Sequence, residues 1–249
     1  MTASTPGFPT WVDLGTADLE DARRFYTALF GWEFEDDGSY TTFLLNGRPV
    51  AGAGPLYGQG QPTAWSTYVA TDDADGVAAR VAANGGKVLV SPFDVHDQGR
   101  MAAFLDPGGA PFSVWQAGRV PGAAIFDVPG ALTWNELNTR DLEGAYAFYG
   151  AVFGWQFRHS SLGEVPYLVA KVHETAICGI QPMSASQWPA DVSPHWMVYF
   201  AVQDCDRAAG HVVALGGQVL FPPANLPIGR YAVLCDRQGG MFAVLASTR

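Results

Sequence analysis

Two carboxylates stand out by type and position. Asp13 follows Trp11 by two residues, and Glu136 follows Trp134 by two. A carboxylate taken out of water against an indole resists ionising, which lifts its pKa toward the range useful for giving and taking protons near neutral pH. The chemistry on offer is general acid/base catalysis. A structural reading stands beside it: each acid is tied to an arginine or a backbone N–H, and the recurrence of both acids favours that view. Arg100 and Arg230 recur in the same way, each after a glycine and at the start of a strand. A planar guanidinium there either clamps a carboxylate, phosphate or enolate oxygen or pairs with Asp13 and Glu136. His195, in Pro-His-Trp, titrates near neutral pH and is either an acid/base or a strand-end rim residue. Glu136, Asp13, His195, Arg230 and Arg100 make up the candidate catalytic set. Glu136 leads it, because Asn138 adds a polar group to its strand face where Gly15 adds none beside Asp13. His96, His159, His173 and His211 read as loop or helix-surface residues.

These residues belong to a chain that repeats itself. Residues 10–34 and 133–157 are identical at 15 of 25 positions without a gap. The match resumes at Tyr40 and Tyr167, each leading to a Gly-x-x-Pro, then at Gly85-Gly86 and Gly216-Gly217, Gly99-Arg100 and Gly229-Arg230, and Asp106 and Asp236. Two domains follow, residues 1–118 and 131–249, with residues 119–130 as a Gly-, Ala- and Pro-rich linker. A fainter repeat lies inside each half, where residues 66–86 follow the strand, Asp, helix, Gly order of residues 11–31.

The local patterns read as βαβββ units. Residues 11–15 alternate as a strand, with Val12 and Leu14 on one face. Asp18 suits a helix N-cap, and Leu19, Ala22, Phe25, Tyr26 and Leu29 share one helical face up to the stop at Gly31. Residues 40–45 and 50–56 read as strands joined by an Asn46-Gly47 hairpin turn. Residues 65–71 are a strand and 75–83 a helix. Residues 87–90, 100–105 and 111–115 are strands, with Asp106-Pro-Gly-Gly turning between the last two. Trp32 and Trp155, just past the helix-ending glycines, are expected to be packing residues.

Paired βαβββ units with an Asp-Pro-x-Gly turn before the last strand resemble the vicinal oxygen chelate superfamily of glyoxalases, bleomycin-resistance proteins and extradiol dioxygenases. The twice-written Asp-Leu-Glu-x-Ala-x-x-Phe-Tyr-x-x-x-Phe-Gly-Trp is similar to its first helix, and the resemblance covers nearly the whole chain as the tandem, two-domain glyoxalase-like type. It implies an α+β fold in which each pair of units curls one mixed sheet into a cup, helices outside and ligand inside. It also implies metal-ligand positions, which fall here on Trp11, Ser66, Ser113, Trp134, Met197 and Ala243. None of these carries a ligand of the family type, so no metal and no other cofactor is expected; a displaced site near His195 is the exception to look for.

With those positions facing the cup, strand alternation places Trp11, Trp134, Asn138, Tyr68, Tyr199, Met197, Ser66, Ser113 and Trp115 along its wall as candidate ligand-binding residues. An aromatic concavity with few polar groups suits a small molecule. Two functions remain open. One is a metal-independent enzyme of isomerase, lyase or cyclase type acting on a carbonyl-bearing or aromatic metabolite. The other is a binding protein that sequesters an aromatic or cationic compound, as bleomycin-resistance relatives do.

Composition bounds the rest. The 249 residues are 48% hydrophobic and 15% charged, enough for a sizeable core. Net charge −10, with no basic cluster, argues against nucleic acid as a partner. No apolar run reaches the roughly 20 residues of a membrane span, and the first residues lack the pattern of a signal peptide. Cys178, Cys205 and Cys235 read as reduced thiols, so the expected location is the cytoplasm and the expected partner a small molecule. The chain is expected to be a monomer whose domains pair with each other, or a homodimer.

Overall fold

The computed structural model describes every residue except 1–4, 57, 59, 163–164, 186–187 and 249. Four βαβββ units follow one another. The first runs β1 (Pro9–Thr16), α1 (Leu19–Phe30), β2 (Glu33–Asp36), β3 (Thr41–Leu45) and β4 (Arg48–Pro55). The second runs β5 (Ala64–Thr71), α2 (Ala74–Ala83), β6 (Lys87–Val95), β7 (Gly99–Leu105) and β8 (Pro111–Ala117). The third runs β9 (Leu132–Thr139), α3 (Leu142–Phe153), β10 (Gln156–Leu162), β11 (Val165–Val172) and β12 (Thr175–Pro182). The fourth runs β13 (His195–Ala201), α4 (Cys205–Ala214), β14 (Gln218–Leu226), β15 (Gly229–Cys235) and β16 (Met241–Ser247). The fold is α+β, with two eight-stranded mixed sheets ordered β2-β3-β4-β1-β5-β8-β7-β6 and β10-β11-β12-β9-β13-β16-β15-β14.

Each helix starts for the same local reason. Asp18, Asp73, Asp141 and Asp204 are N-caps whose side chains accept from the backbone N–H three residues on. Gly31 and Gly154 end α1 and α3 in the left-handed region, at φ 70°. The Asn46-Gly47 turn has φ of 52° and 69°, both positive as a tight primed hairpin turn requires. β2 and β10 leave no mark in the local pattern. Their side chains sit on sheet edges, and Glu33–Asp36 is exposed throughout, so no alternation marks it.

By contact density the chain forms two compact units. One comprises residues 1–11, 67–122 and 134–196; the other comprises 12–66, 123–133 and 197–249. The core of the first unit joins Phe104 and Phe112 to Phe148, Tyr149, Trp155 and Trp196. Within it the Asp106 turn finds its purpose. Asp106 accepts from the Tyr149 hydroxyl at 3.0 Å and from Ala110 N at 2.9 Å, and Trp196 Nε1 donates to the same hydroxyl at 3.0 Å. Burial raises the Asp106 pKa, and the hydrogen bonds from Ala110 and Tyr149 oppose it. The second unit builds the same triad, with Tyr26 donating to Asp236 at 2.8 Å and Trp65 Nε1 to Tyr26 at 3.0 Å. Trp32 and Trp155 are buried as expected, and each also donates to a glycine carbonyl, Gly130 and Gly7 respectively.

Candidate functional site

Glu136 is the most developed of the candidate positions. On β9, Leu137 points into the hydrophobic core with α3, so Trp134, Glu136 and Asn138 occupy the opposite face. β12 runs parallel beside β9, with Gly179 opposite Glu136 and Gln181 opposite Asn138. Glu136 is 3% exposed, yet its carboxylate is well served. Tyr167, from β11, donates its hydroxyl to Oε2 at 2.8 Å, and Gln181 Nε2 donates to Oε1 at 2.9 Å. Gln181 Nε2 also reaches Asn138 Oδ1 at 2.7 Å, and Trp134 Nε1 donates to the Tyr167 hydroxyl at 2.9 Å. Five side chains thus form one connected polar network.

Gly179 makes that network possible. A Cβ at this position would overlap the Tyr167 hydroxyl, so only glycine lets the tyrosine lie across β12 to reach Glu136. Burial pushes the Tyr167 pKa well up, the Glu136 charge adds to the rise, and the bond from Trp134 works against it. Tyr167 therefore stays protonated and holds its role as donor. Tyr167, Gln181 and Gly179 are residues that sequence reasoning missed. The signal was present: Tyr40 and Tyr167 each precede a glycine by twelve residues, and both pairs lie in the repeat.

Asp13 has a smaller version of this arrangement. Val12 and Leu14 are in the core, and Asp13 is half-buried on the other face, opposite Gly52 of β4. The Tyr40 hydroxyl donates to Asp13 Oδ2 at 3.2 Å, passing over Gly52 as Tyr167 passes over Gly179. Where the second half has Gln181 and Asn138, the first has Gly54 and Gly15.

The two arginines correct the sequence reading. Neither Arg100 nor Arg230 pairs with Asp13 or Glu136. Arg100 is held by Asp75 at 3.0 Å and Asp94 at 2.8 Å, and Arg230 by Asp206 at 2.6 Å and Asn225 at 3.0 Å. Asp75 and Asp206 lie in the first turns of α2 and α4, so each arginine staples a strand to the helix of its own unit. Their guanidinium forks are occupied, which removes them as clamps for a ligand. A surface depression of about 230 Å³ lies beside Arg100, lined also by Asp94, His96 and Gln116, and the arginine on its wall is already paired with Asp94.

His195 opens β13, its Nδ1 within 2.9 Å of the Ser193 carbonyl and its ring edge-on to Trp188. Its Nε2 is buried without a hydrogen-bond partner among the described residues. Burial lowers its pKa from the ordinary 6.5, against the opposing bond to Ser193. Tyr68 and Ser113 are side by side in the β5–β8 register, on the face away from core residues Val69 and Val114. Trp115 is half-buried and gives its Nε1 to the Val120 carbonyl at 2.8 Å, its indole lying where a Cβ at Gly99 would be. Met197 and Tyr199 alternate with core residues Val198 and Phe200, and Tyr199 is in register with Ala243. Trp11 and Ser66 are half-buried.

The residues at the six positions implied for a metal do not fit one. None of the six is an imidazole, carboxylate or thiolate, the groups that hold a divalent ion in sites of this kind, and the Trp134 indole N–H is already donating to Tyr167. No three His, Cys, Asp or Glu side chains converge among the described residues. Burial also pushes the Cys178 thiol well up and the Cys205 thiol to about 11, so neither is an activated nucleophile. No helix among the described residues is long and apolar enough to cross a membrane.

Comparison with known proteins agrees with this architecture. The sequence profile of the Glyoxalase/Bleomycin resistance protein/Dioxygenase superfamily matches residues 9–114, and that of a Glyoxalase-like domain matches residues 134–245. CFP32 of Mycobacterium tuberculosis, which carries the provisional name of a glyoxylase, is 42% identical over 96% of this chain and 94% of its own. The anthracycline biosynthesis protein DnrV of Streptomyces peucetius is 40% identical over 98% of this chain and 95% of its own. Among solved structures, a Mn(II)-bound glyoxalase from Novosphingobium aromaticivorans superposes with TM-score 0.65 at 18% identity, over 96% of this chain and 81% of that one. The 2,3-dioxygenase LapB from Pseudomonas sp. KL28 gives 0.65 at 14%, over 96% and 92%. At these identities the two structures attest the fold alone.

Proposed function

The chain belongs to the glyoxalase/bleomycin resistance protein/dioxygenase superfamily, and within it we propose a metal-independent enzyme in which Glu136 moves a proton on an aromatic, carbonyl-bearing small molecule. The observation that carries this reading is the setting of Glu136. A carboxylate 3% exposed, on the face opposite the hydrophobic core, accepts from two neutral donors, Tyr167 and Gln181. Both hydrogen bonds come from neutral donors and fix the direction of the carboxylate, the orientation a group needs to take a proton from carbon or oxygen. Trp134 fixes Tyr167, Asn138 fixes Gln181, and so the whole set is preorganised.

The reaction begins with transfer of a proton from a C–H next to the substrate carbonyl to Glu136. It ends with return of that proton to a different atom, which gives isomerisation; with departure of a group beta to the carbonyl, which leaves with its bonding electrons and takes the proton, which gives elimination; or with attack of the enolate carbon on a second carbonyl, whose oxygen takes the proton, which gives cyclisation. The resemblance to a protein named for anthracycline biosynthesis supports fused-ring aromatic carbonyl compounds as the substrate class.

The first half-reaction is testable before the product is known. Exchange of the acidic C–H of fused-ring aromatic ketones into D₂O, followed by NMR, is expected to be faster with the protein than without it. Glu136→Gln keeps shape and hydrogen bonding but removes the base, and should slow exchange on the order of 100-fold or more at unchanged melting temperature. Exchange that persists in Glu136→Gln, or a variant that merely unfolds, contradicts the reading.

A further inference from the structure

The strand register carries the Glu136 row outward to a second charged residue. Glu136 pairs with Gly179, Gly179 with Val169, and Val169 with Arg158 of the edge strand β10. Residues paired in this way across adjacent strands point to one face. Three inter-strand steps of about 4.8 Å put the Arg158 backbone about 14 Å from that of Glu136. Val169, which takes no part in the core cluster, stands between them.

Arg158 is exposed, and its guanidinium makes no hydrogen bond or ion pair among the described residues. Nearby cations are already used: Lys171 is bonded to Glu174 at 2.9 Å. In the first half the same row runs Asp13, Gly52, Thr42, Glu35, so the repeat replaces Arg158 by an acid. A chain of net charge −10 repels anions at long range, which makes an exposed arginine on the candidate face a local reversal of sign.

We propose that Arg158 reads an anionic oxygen group, a carboxylate or phenolate, at the far edge of an aromatic molecule bound on the Glu136 face. This rests on the reading of Glu136 as the reactive centre and adds the substrate's charge to it. Arg158 sets specificity and takes no part in the chemistry. The guanidinium meets two oxygens of a carboxylate at once, so the anion is fixed in orientation as well as place.

Equilibrium binding of 1-naphthylacetate and of its methyl ester tests this, using the full chain and the variants Arg158→Gln and Arg158→Lys. The wild type should prefer the acid. Arg158→Gln should weaken the acid on the order of 5- to 10-fold while leaving the ester unchanged, as expected for loss of one charge-assisted contact. Arg158→Lys should fall between, since the charge remains and the paired geometry does not. Added salt should shrink the preference for the acid. Equal affinity of the wild type for acid and ester, no binding of the acid, or acid binding unchanged in Arg158→Gln would each overturn the proposal. Loss of proton exchange is read separately in Glu136→Gln, whose preference for acid over ester should persist, so the two readings fail independently.

Discussion

Glu136 and Asp13 occupy the same place in two copies of one design, and the copies have diverged. Both acids face a glycine on a parallel neighbour, and both receive a tyrosine hydroxyl laid across that glycine. Around Glu136 the bond is 2.8 Å and Gln181, Asn138 and Trp134 complete a network; around Asp13 the bond is 3.2 Å and the Gln181 and Asn138 positions are glycines. The acid–tyrosine pair over glycine is therefore the shared scaffold, and the amide groups are the addition. Asp13 is half-buried and its bond to Tyr40 is the longer one, whereas Glu136 is buried in a connected network that holds it in a single geometry.

The glycines give the largest contrast. Gly179→Ala sets a methyl on the Tyr167 hydroxyl, and the buried ring cannot move aside without breaking its bond to Glu136. A loss of about 3 kcal/mol is expected, at the upper end for overpacking. Gly52→Ala meets Tyr40, which is half-buried where Tyr167 is buried, and about 1 kcal/mol is expected there. Chemical denaturation of both variants checks this, and equal losses would break the comparison.

Tyrosine hydroxyls come next. Tyr167→Phe removes a 2.8 Å bond to a buried carboxylate and the partner of Trp134 Nε1, for a cost of about 2 kcal/mol. Tyr40→Phe removes a 3.2 Å bond to a half-buried one, for about 0.5 kcal/mol. A larger loss in Tyr40→Phe would make the first half the more tightly built site.

The smallest effect concerns His195, whose counterpart in the first half is Ala64. Its folded pKa lies below the unfolded value because burial disfavours the imidazolium. The stability it allows is present above the ordinary 6.5 and is lost as pH falls from there through the depressed folded value. Melting temperature should therefore drop between pH 7 and 5 less steeply in His195→Gln than in the wild type. An unchanged slope would mean that His195 does not sense protons.

Much of this architecture is legible in the sequence because it is local. The N-cap aspartates, the Asn46-Gly47 turn and the Asp106 turn each act within a few residues, and the repeat confirms the capping aspartates and the Asp106 turn by recurrence. Trp134, Glu136 and Asn138 share a face by simple alternation on one strand. The rest depends on pairing between distant strands. Gln181 reaches Glu136 from 45 residues away, and nothing in the local pattern says which strand lies beside β9. Arg100 and Arg230 differ for the opposite reason: their recurrence suggests a long-range role, whereas their partners are the nearby Asp75 and Asp206 on the preceding helix. Asp106 reads as a turn former from sequence, and only the packed unit reveals Tyr149 as the group it holds.

The most direct measurement compares the two acids in one assay, with D₂O exchange of an aromatic ketone's C–H followed by NMR in the wild type, Glu136→Gln and Asp13→Asn. If the completed network makes the base, Glu136→Gln loses exchange on the order of 100-fold and Asp13→Asn stays within about threefold of the wild type, both with intact folds. A large loss in Asp13→Asn alone, or equal losses in the two variants, would contradict the assignment of catalysis to Glu136.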